Sequence, residues 1–211
     1  MKKISTIACF MLLLGSLTAC SDSDAVDYGL GAYYTEIVTA AGDRVFLLDT
    51  GQSVRSVGKG TADALEAGDR VRLLFSYLNG KTDEIVIHSA TKIFRADLNT
   101  VRPEAIPLQA NDPIAFESAW IGSHYLNLQF YMEYQSEAHK VMLSLAASEA
   151  NDREPRLYFR HDRNGDAPGY LLPVCVSFDL SRALGEPKGD RTLLINFNTT
   201  NYGDKTYKFK Y

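Results

Sequence analysis

Cysteine is scarce in this chain, and its positions matter more than its number. Only Cys9, Cys20 and Cys175 carry a thiol. Two of them stand near the N-terminus, which leaves Cys175 as the sole thiol of the body. A disulfide framework is therefore excluded, and stability has to come from burying apolar side chains. An excess of positive charge is also missing. The chain has 22 basic against 26 acidic residues, a net charge of −4. That balance makes the chain a poor candidate for nucleic-acid binding, which normally depends on a basic face. The four histidines, His88, His124, His139 and His161, make no H-x-x-x-H pair, and no C-x-x-C occurs. No metal or other cofactor is implied by spacing. No serine sits in a G-x-S-x-G elbow. After residue 14 no apolar run approaches the length of a membrane-spanning helix. Fixed-period repeats and low-complexity tracts are absent as well.

What is present begins with a three-part secretion signal over residues 1–19. Lys2 and Lys3 give the positive start, Ile7 to Leu14 the short apolar stretch, and small residues lead to a cleavage point. Leu17-Thr18-Ala19-Cys20 resembles the bacterial lipobox. Small residues suit a peptidase that reads extended backbone in a narrow groove, and the cysteine sulfur accepts diacylglycerol. Lipid on Cys20 would hold the protein to a membrane surface, at about 0.8 kcal/mol per buried methylene. Ser21 rather than Asp after the cysteine resembles Gram-negative lipoproteins sent to the outer membrane, on its surface or its periplasmic side. Cleavage removes Lys2 and Lys3 and leaves 20 basic against 26 acidic residues. Residues 20–28 read as an acidic tether.

The remaining residues read as all-β, a small OB-type barrel followed by an antiparallel β-sandwich. Residues 29–100 hold five strand-like runs: Tyr33 to Thr39, Arg44 to Asp49, Ser53 to Val57, Arg70 to Leu78 and Glu84 to Ala96. Thr61 to Ala67 is expected to add a helical turn. Asn79-Gly80 is expected to close a type I′ hairpin, because both residues tolerate positive φ. An interruption at Ser89-Ala90-Thr91 reads as a bulge. In 101–113 the alternation fades, and Pro103, Pro107 and Pro113 mark a semi-rigid linker. Residues 114–211 alternate cleanly through about seven short strands, the count of a two-sheet sandwich. In Tyr125 to Glu133 the residues Leu126, Leu128, Phe130 and Met132 share the core face. Cys175 alternates with Val174 and Val176 and reads as a half-buried structural thiol.

Several segments together resemble the NigD-like lipoproteins, small envelope proteins of Gram-negative anaerobes. They are Trp120-Ile121-Gly122-Ser123-His124-Tyr125-Leu126-Asn127, Leu157-Tyr158-Phe159-Arg160-His161-Asp162, Val176-Ser177-Phe178-Asp179-Leu180 and Tyr207-Lys208-Phe209-Lys210-Tyr211. The resemblance implies an N-terminal OB domain and a C-terminal β-sandwich. It implies no catalytic residues, and it adds an association with bacteriocins, hence an immunity-like role.

Candidate chemistry is thin. Asp162-Arg163-Asn164-Gly165-Asp166 has the opening of a calcium loop but lacks its closing Glu, and suits an ordinary hairpin loop. A hydrolase would need a cleft that joins His161 and Asp162 to a nucleophile. The other candidate is the outward face of one strand, Tyr125, Asn127, Gln129 and Tyr131, with Trp120 just before it. Aromatic rings with amides between them can stack on sugars and bond their hydroxyls, or can pack against a neighbouring domain. The sequence reading is therefore a non-catalytic envelope lipoprotein with Cys20 in the membrane. Its partner would be an envelope protein or a glycan, not nucleic acid.

Overall fold

The computed structural model describes residues 31–58 and 64–211. The secretion signal, Cys20, the tether and the first part of the expected helical turn at Thr61 lie outside those residues. Residues 64–67, the described remainder of that turn, form no helix.

Five strands close the barrel: β1 (Tyr33–Gly42), β2 (Val45–Leu48), β3 (Ser53–Ser56), β4 (Arg70–Tyr77) and β5 (Glu84–Lys92). Their order around it is β1-β2-β3-β5-β4, with β3 and β5 parallel. That is the OB arrangement. Strict alternation builds its interior, since Val71, Leu73 and Phe75 of β4 meet Val38, Phe46 and Ile85 with no more than 1% exposure. The β4–β5 hairpin turns on Gly80 alone. Gly80 takes φ +75° and Asn79 keeps negative φ, while the Lys81 amide donates to the Leu78 carbonyl. This is the pattern of a type II turn, not the expected I′. The bulge of β5 falls at His88, where Leu74 faces Ser89 but Phe75 faces Ile87.

The sandwich holds nine strands: β6 (Phe94–Asp97), β7 (Asn99–Val101), β8 (Ala115–Gly122), β9 (Tyr125–Tyr134), β10 (Lys140–Ala146), β11 (Arg156–Asp162), β12 (Tyr170–Asp179), β13 (Thr192–Thr199) and β14 (Gly203–Lys210). One sheet runs β14-β13-β11-β10-β7 and the other β6-β12-β9-β8. Most pairings are antiparallel, with short parallel ladders at β7–β10, β6–β12 and β11–β13. Leu126, Leu128 and Phe130 of β9 are fully buried against Leu157, Phe159, Val176, Phe178 and Ile195, as the alternation requires.

The strand expected over Glu84 to Ala96 is two strands. β5 ends in the barrel at Lys92, and β6 begins the sandwich at Phe94. The chain thus changes body at Ile93, ahead of the proline-rich stretch expected to link the halves. Within 101–113 that stretch forms a 3₁₀ turn, Pro103–Leu108, lying beside β10. β6 and β7 then border opposite sheets, joined only by Leu98, which is 5% exposed.

Candidate functional site

The barrel sits on the outer face of the β6-β12-β9-β8 sheet, through one buried cation. Arg70 opens β4 with its side chain fully buried. It grips Asp49 with both terminal nitrogens, Nη1 to Oδ1 at 2.7 Å and Nη2 to Oδ2 at 3.0 Å. The same guanidinium donates to Asn127 Oδ1 (2.9 Å) and to Ser177 Oγ (3.3 Å), and lies 4.1 Å from the centre of the Tyr125 ring. Asn127 Nδ2 returns a bond to Asp49 Oδ2 at 2.9 Å. A fork-shaped donor set met by a carboxylate and an amide is a strong, directional joint. Gly122 completes the seat, because a methyl group there would collide with the Asp49 carboxylate.

This corrects part of the sequence reading. Tyr125 is 5% exposed and Asn127 is fully buried, so they hold the barrel and face no ligand. Trp120 lies opposite Asn127 in register and is half-buried at the same seat. The alternation was legible; what covers the face was not.

Beyond the seat, the same sheet face opens into a groove of about 450 Å³. Gln129 and Tyr131 continue the β9 row into it, beside Cys175 and Pro173, their register partners on β12. Glu117 of β8 lies on the sandwich side. Arg72, Thr91 and Lys92 form the barrel side, with Phe94 at the crossing. Tyr131 and Phe94 are exposed. Lys92 Nζ is held by Asp69 at 2.7 Å, whereas Arg72 has no ion-pair partner among the described residues. Burial pushes the Cys175 thiol up, partly offset by Arg72 and the Gln129 hydrogen bond. A half-buried thiol held in its neutral form is a poor nucleophile. Gln129 and Tyr131 are thus the two sequence candidates that the structure brings to an open cleft. Arg72, Lys92 and Phe94 were missed, because strand alternation makes the two cations ordinary solvent-facing residues and only the docked sandwich gives them a partner wall.

A second cluster was also invisible in the sequence. His139 Nδ1 lies 2.9 Å from His161 Nε2, and His139 Nε2 lies 3.1 Å from Asp166 Oδ2. Asp166 further accepts the amides of Gln135, Ser136 and Glu137, and these bonds hold its carboxyl far below the usual range. The carboxylate proposed for a calcium loop has turned inward and cages the loop after β9. Burial and then His139 push the His161 imidazole down, with the backbone at Asp112 and Pro113 pulling the other way. His161 is 2% exposed and does not line the groove. Among the described residues no hydroxyl bonds to either ring. His124, tilted against the Tyr125 ring at 4.3 Å between centroids, and His88, 3.1 Å from Ser76 Oγ, stand apart from this pair.

Comparison with known proteins places the sandwich. A family described as the NigD-like C-terminal beta sandwich domain matches residues 99–211. No curated protein matches the chain. Solved structures resemble it over both halves. One is a protein of unknown function from Bacteroides vulgatus ATCC 8482, with TM-score 0.73, 22% identity, and 85% of this chain and 91% of that one covered. A candidate lipoprotein from Bacteroides fragilis NCTC 9343 follows at TM-score 0.66 and 14% identity, covering 85% and 98%. A NigD-like immunity protein from Bacteroides caccae ATCC 43185 gives TM-score 0.64 and 21% identity, covering 84% and 92%.

Proposed function

From the premise that this chain belongs to the NigD-like family, we propose that it is a lipid-anchored, non-catalytic binding protein of the outer membrane. The groove between barrel and sandwich would be its binding place, and a glycan its ligand. The observation that carries this reading is the groove's lining: an exposed Tyr131 ring beside the Gln129 amide, the Thr91 hydroxyl and Arg72, which has no ion-pair partner among the described residues. An aromatic face with hydrogen-bonding groups around it suits a sugar ring. The Arg70 joint supports it further, because a wall fixed in advance reduces the ordering cost of binding. The anchor rests on the lipobox at Cys20, and a solved relative is itself a candidate lipoprotein.

Two experiments test the two parts. Labelled palmitate should enter the wild-type chain and vanish from Cys20→Ser; unlabelled wild type defeats the anchor. On a glycan array the full chain should retain a defined set of glycans, and Tyr131→Ala should lose them without a change in thermal midpoint. A blank array, or a variant that binds like the wild type, defeats the groove.

A second reading is an immunity-like role with a protein partner, favoured by the name of the Bacteroides caccae relative. Cells lacking the gene would then become sensitive to the cognate toxin, and unchanged sensitivity rejects it. The hydrolase alternative has no support in the position of His161, which is buried with His139.

A further inference from the structure

The opposite outer face of the sandwich, on β14-β13-β11-β10-β7, carries more cations than carboxylates, the latter being Asp162 and Asp204, which register places on the same face. Leu193, Ile195 and Phe197 point into the core, so Leu194, Asn196 and Asn198 point outward. Register extends that row across the sheet. Leu194 lies between Arg156 and Lys208, and Asn196 between Tyr158 and Thr206. Lys210 lies beside Thr192, whose hydroxyl it bonds at 3.2 Å, and Arg160 follows Tyr158 on the same face. None of Arg156, Arg160, Lys208 and Lys210 has an ion-pair partner among the described residues. They sit together on one sheet of a chain whose net charge is −4.

Arg160 is the telling member. It is 8% exposed, and its Nη1 donates only to neutral oxygens: Asn111 Oδ1 (3.1 Å), the Phe159 carbonyl (3.3 Å) and Asn196 Oδ1 (3.4 Å). Its Nε is buried without an acceptor. The guanidinium lies 5.0 Å from the centre of the Tyr158 ring. Arginines this deep are ordinarily matched by a carboxylate. Burial lowers its pKa, and Asp204 acts on it from a distance too great for a salt bridge. Nε being buried, Nη2 is the nitrogen left without a partner among the described residues, and a carboxylate or sulfate oxygen can take its charge-assisted bond. None of the exposed large hydrophobic residues belongs to these five strands, so the apolar anchors of a protein interface are missing. Amides and hydroxyls lie between the cations instead, with the Asp204 carboxylate at the end of the row beside Asn198.

We propose that this face binds an acidic polysaccharide. Arg160 takes a carboxylate or sulfate, and Arg156, Lys208 and Lys210 follow the chain across the sheet. This site is separate from the groove. Titration of the full chain with polygalacturonate and with dextran sulfate should give binding that weakens with salt, and neutral dextran should give none. Arg156→Gln/Lys208→Gln/Lys210→Gln should weaken it about tenfold or more. Arg160→Lys keeps the charge but loses the guanidinium and its hydrogen bonds, and should weaken binding along with a lower thermal midpoint. The triple variant, whose midpoint should hold, therefore carries the test. Tyr131→Ala should leave it unchanged, which separates this outcome from that of the groove. The proposal is overturned by no binding to either polymer, by equal binding to neutral dextran, or by a triple variant that binds like the wild type. Binding confined to phosphatidylglycerol vesicles overturns it as well, in favour of a membrane contact.

Discussion

Arg70 and His161 are both buried ionisable side chains, and they answer to different perturbations. Arg70 has its counterion in Asp49, so the cost of burial is met only while both are present. Asp49→Ala should destabilise the protein by about 3–5 kcal/mol, because it leaves a guanidinium buried with neutral partners. Replacing both, Asp49→Leu with Arg70→Met, should lie closer to wild type; urea midpoints of the three variants decide it. His161 instead stays neutral. Its imidazole is held below its ordinary value of 6.5, mainly by burial, so the unfolded chain takes up the proton more readily than the folded one. Stability should therefore be level above pH 6.5 and fall as pH drops below it toward the lower folded value. Urea unfolding at pH 7.5 and about 5.5 should show this slope, and His161→Gln should flatten it. Neither residue could be placed from the sequence. Arg70 opens a strand, where a cation is commonplace. His161 falls in the core-facing row of Leu157 and Phe159, but its partner His139 lies 22 positions away.

Among the elements, the alternating strands were the legible part. Period-two rows such as Leu126, Leu128 and Phe130 state which side meets the core, whatever lies beyond. Edges and crossings were not legible, because they depend on which strand finds which slot. The run from Glu84 to Ala96 has continuous strand character, yet it serves two bodies. Its second part borders one sheet as β6, and β7 borders the other. Leu98 is the pivot, so Leu98→Ala should cost about 2–5 kcal/mol through the cavity it leaves between the sheets. The measurement is chemical unfolding of the full chain, and a loss under about 0.5 kcal/mol would show that the pivot collapses freely. The proline-rich stretch drew attention as a boundary because prolines interrupt ladders. Here they shape a 3₁₀ turn inside the second body.

For the molecule as a whole, two cores are joined by a polar seat. Among the described residues the barrel core and the sandwich core share no buried apolar residue. Their coupling therefore rests on polar contacts centred on Arg70, Asp49, Asn127 and Ser177, with the Tyr125 ring, the Ser123 amide on the Asp49 carbonyl and the bare backbone at Gly122. Wild-type protein should melt in one calorimetric transition. Gly122→Ala, which drives a methyl group into the Asp49 carboxylate, should split that transition in two or lower it markedly. An unaltered single peak would mean that the seat does not couple the halves. The fold class was readable at this scale, since both halves declare their strands. The seat was not, because its residues come from four separate stretches of chain, at 49, 70, 122–127 and 177.

That missing methyl group has a consequence for how such proteins can diverge. A β-carbon at 122 and a carboxylate at 49 exclude each other, so the two halves cannot be exchanged freely among cousins. A chimera that takes its barrel from one source and its sandwich from another inherits a working hinge line only if positions 49, 70, 122, 127 and 177 travel as a set.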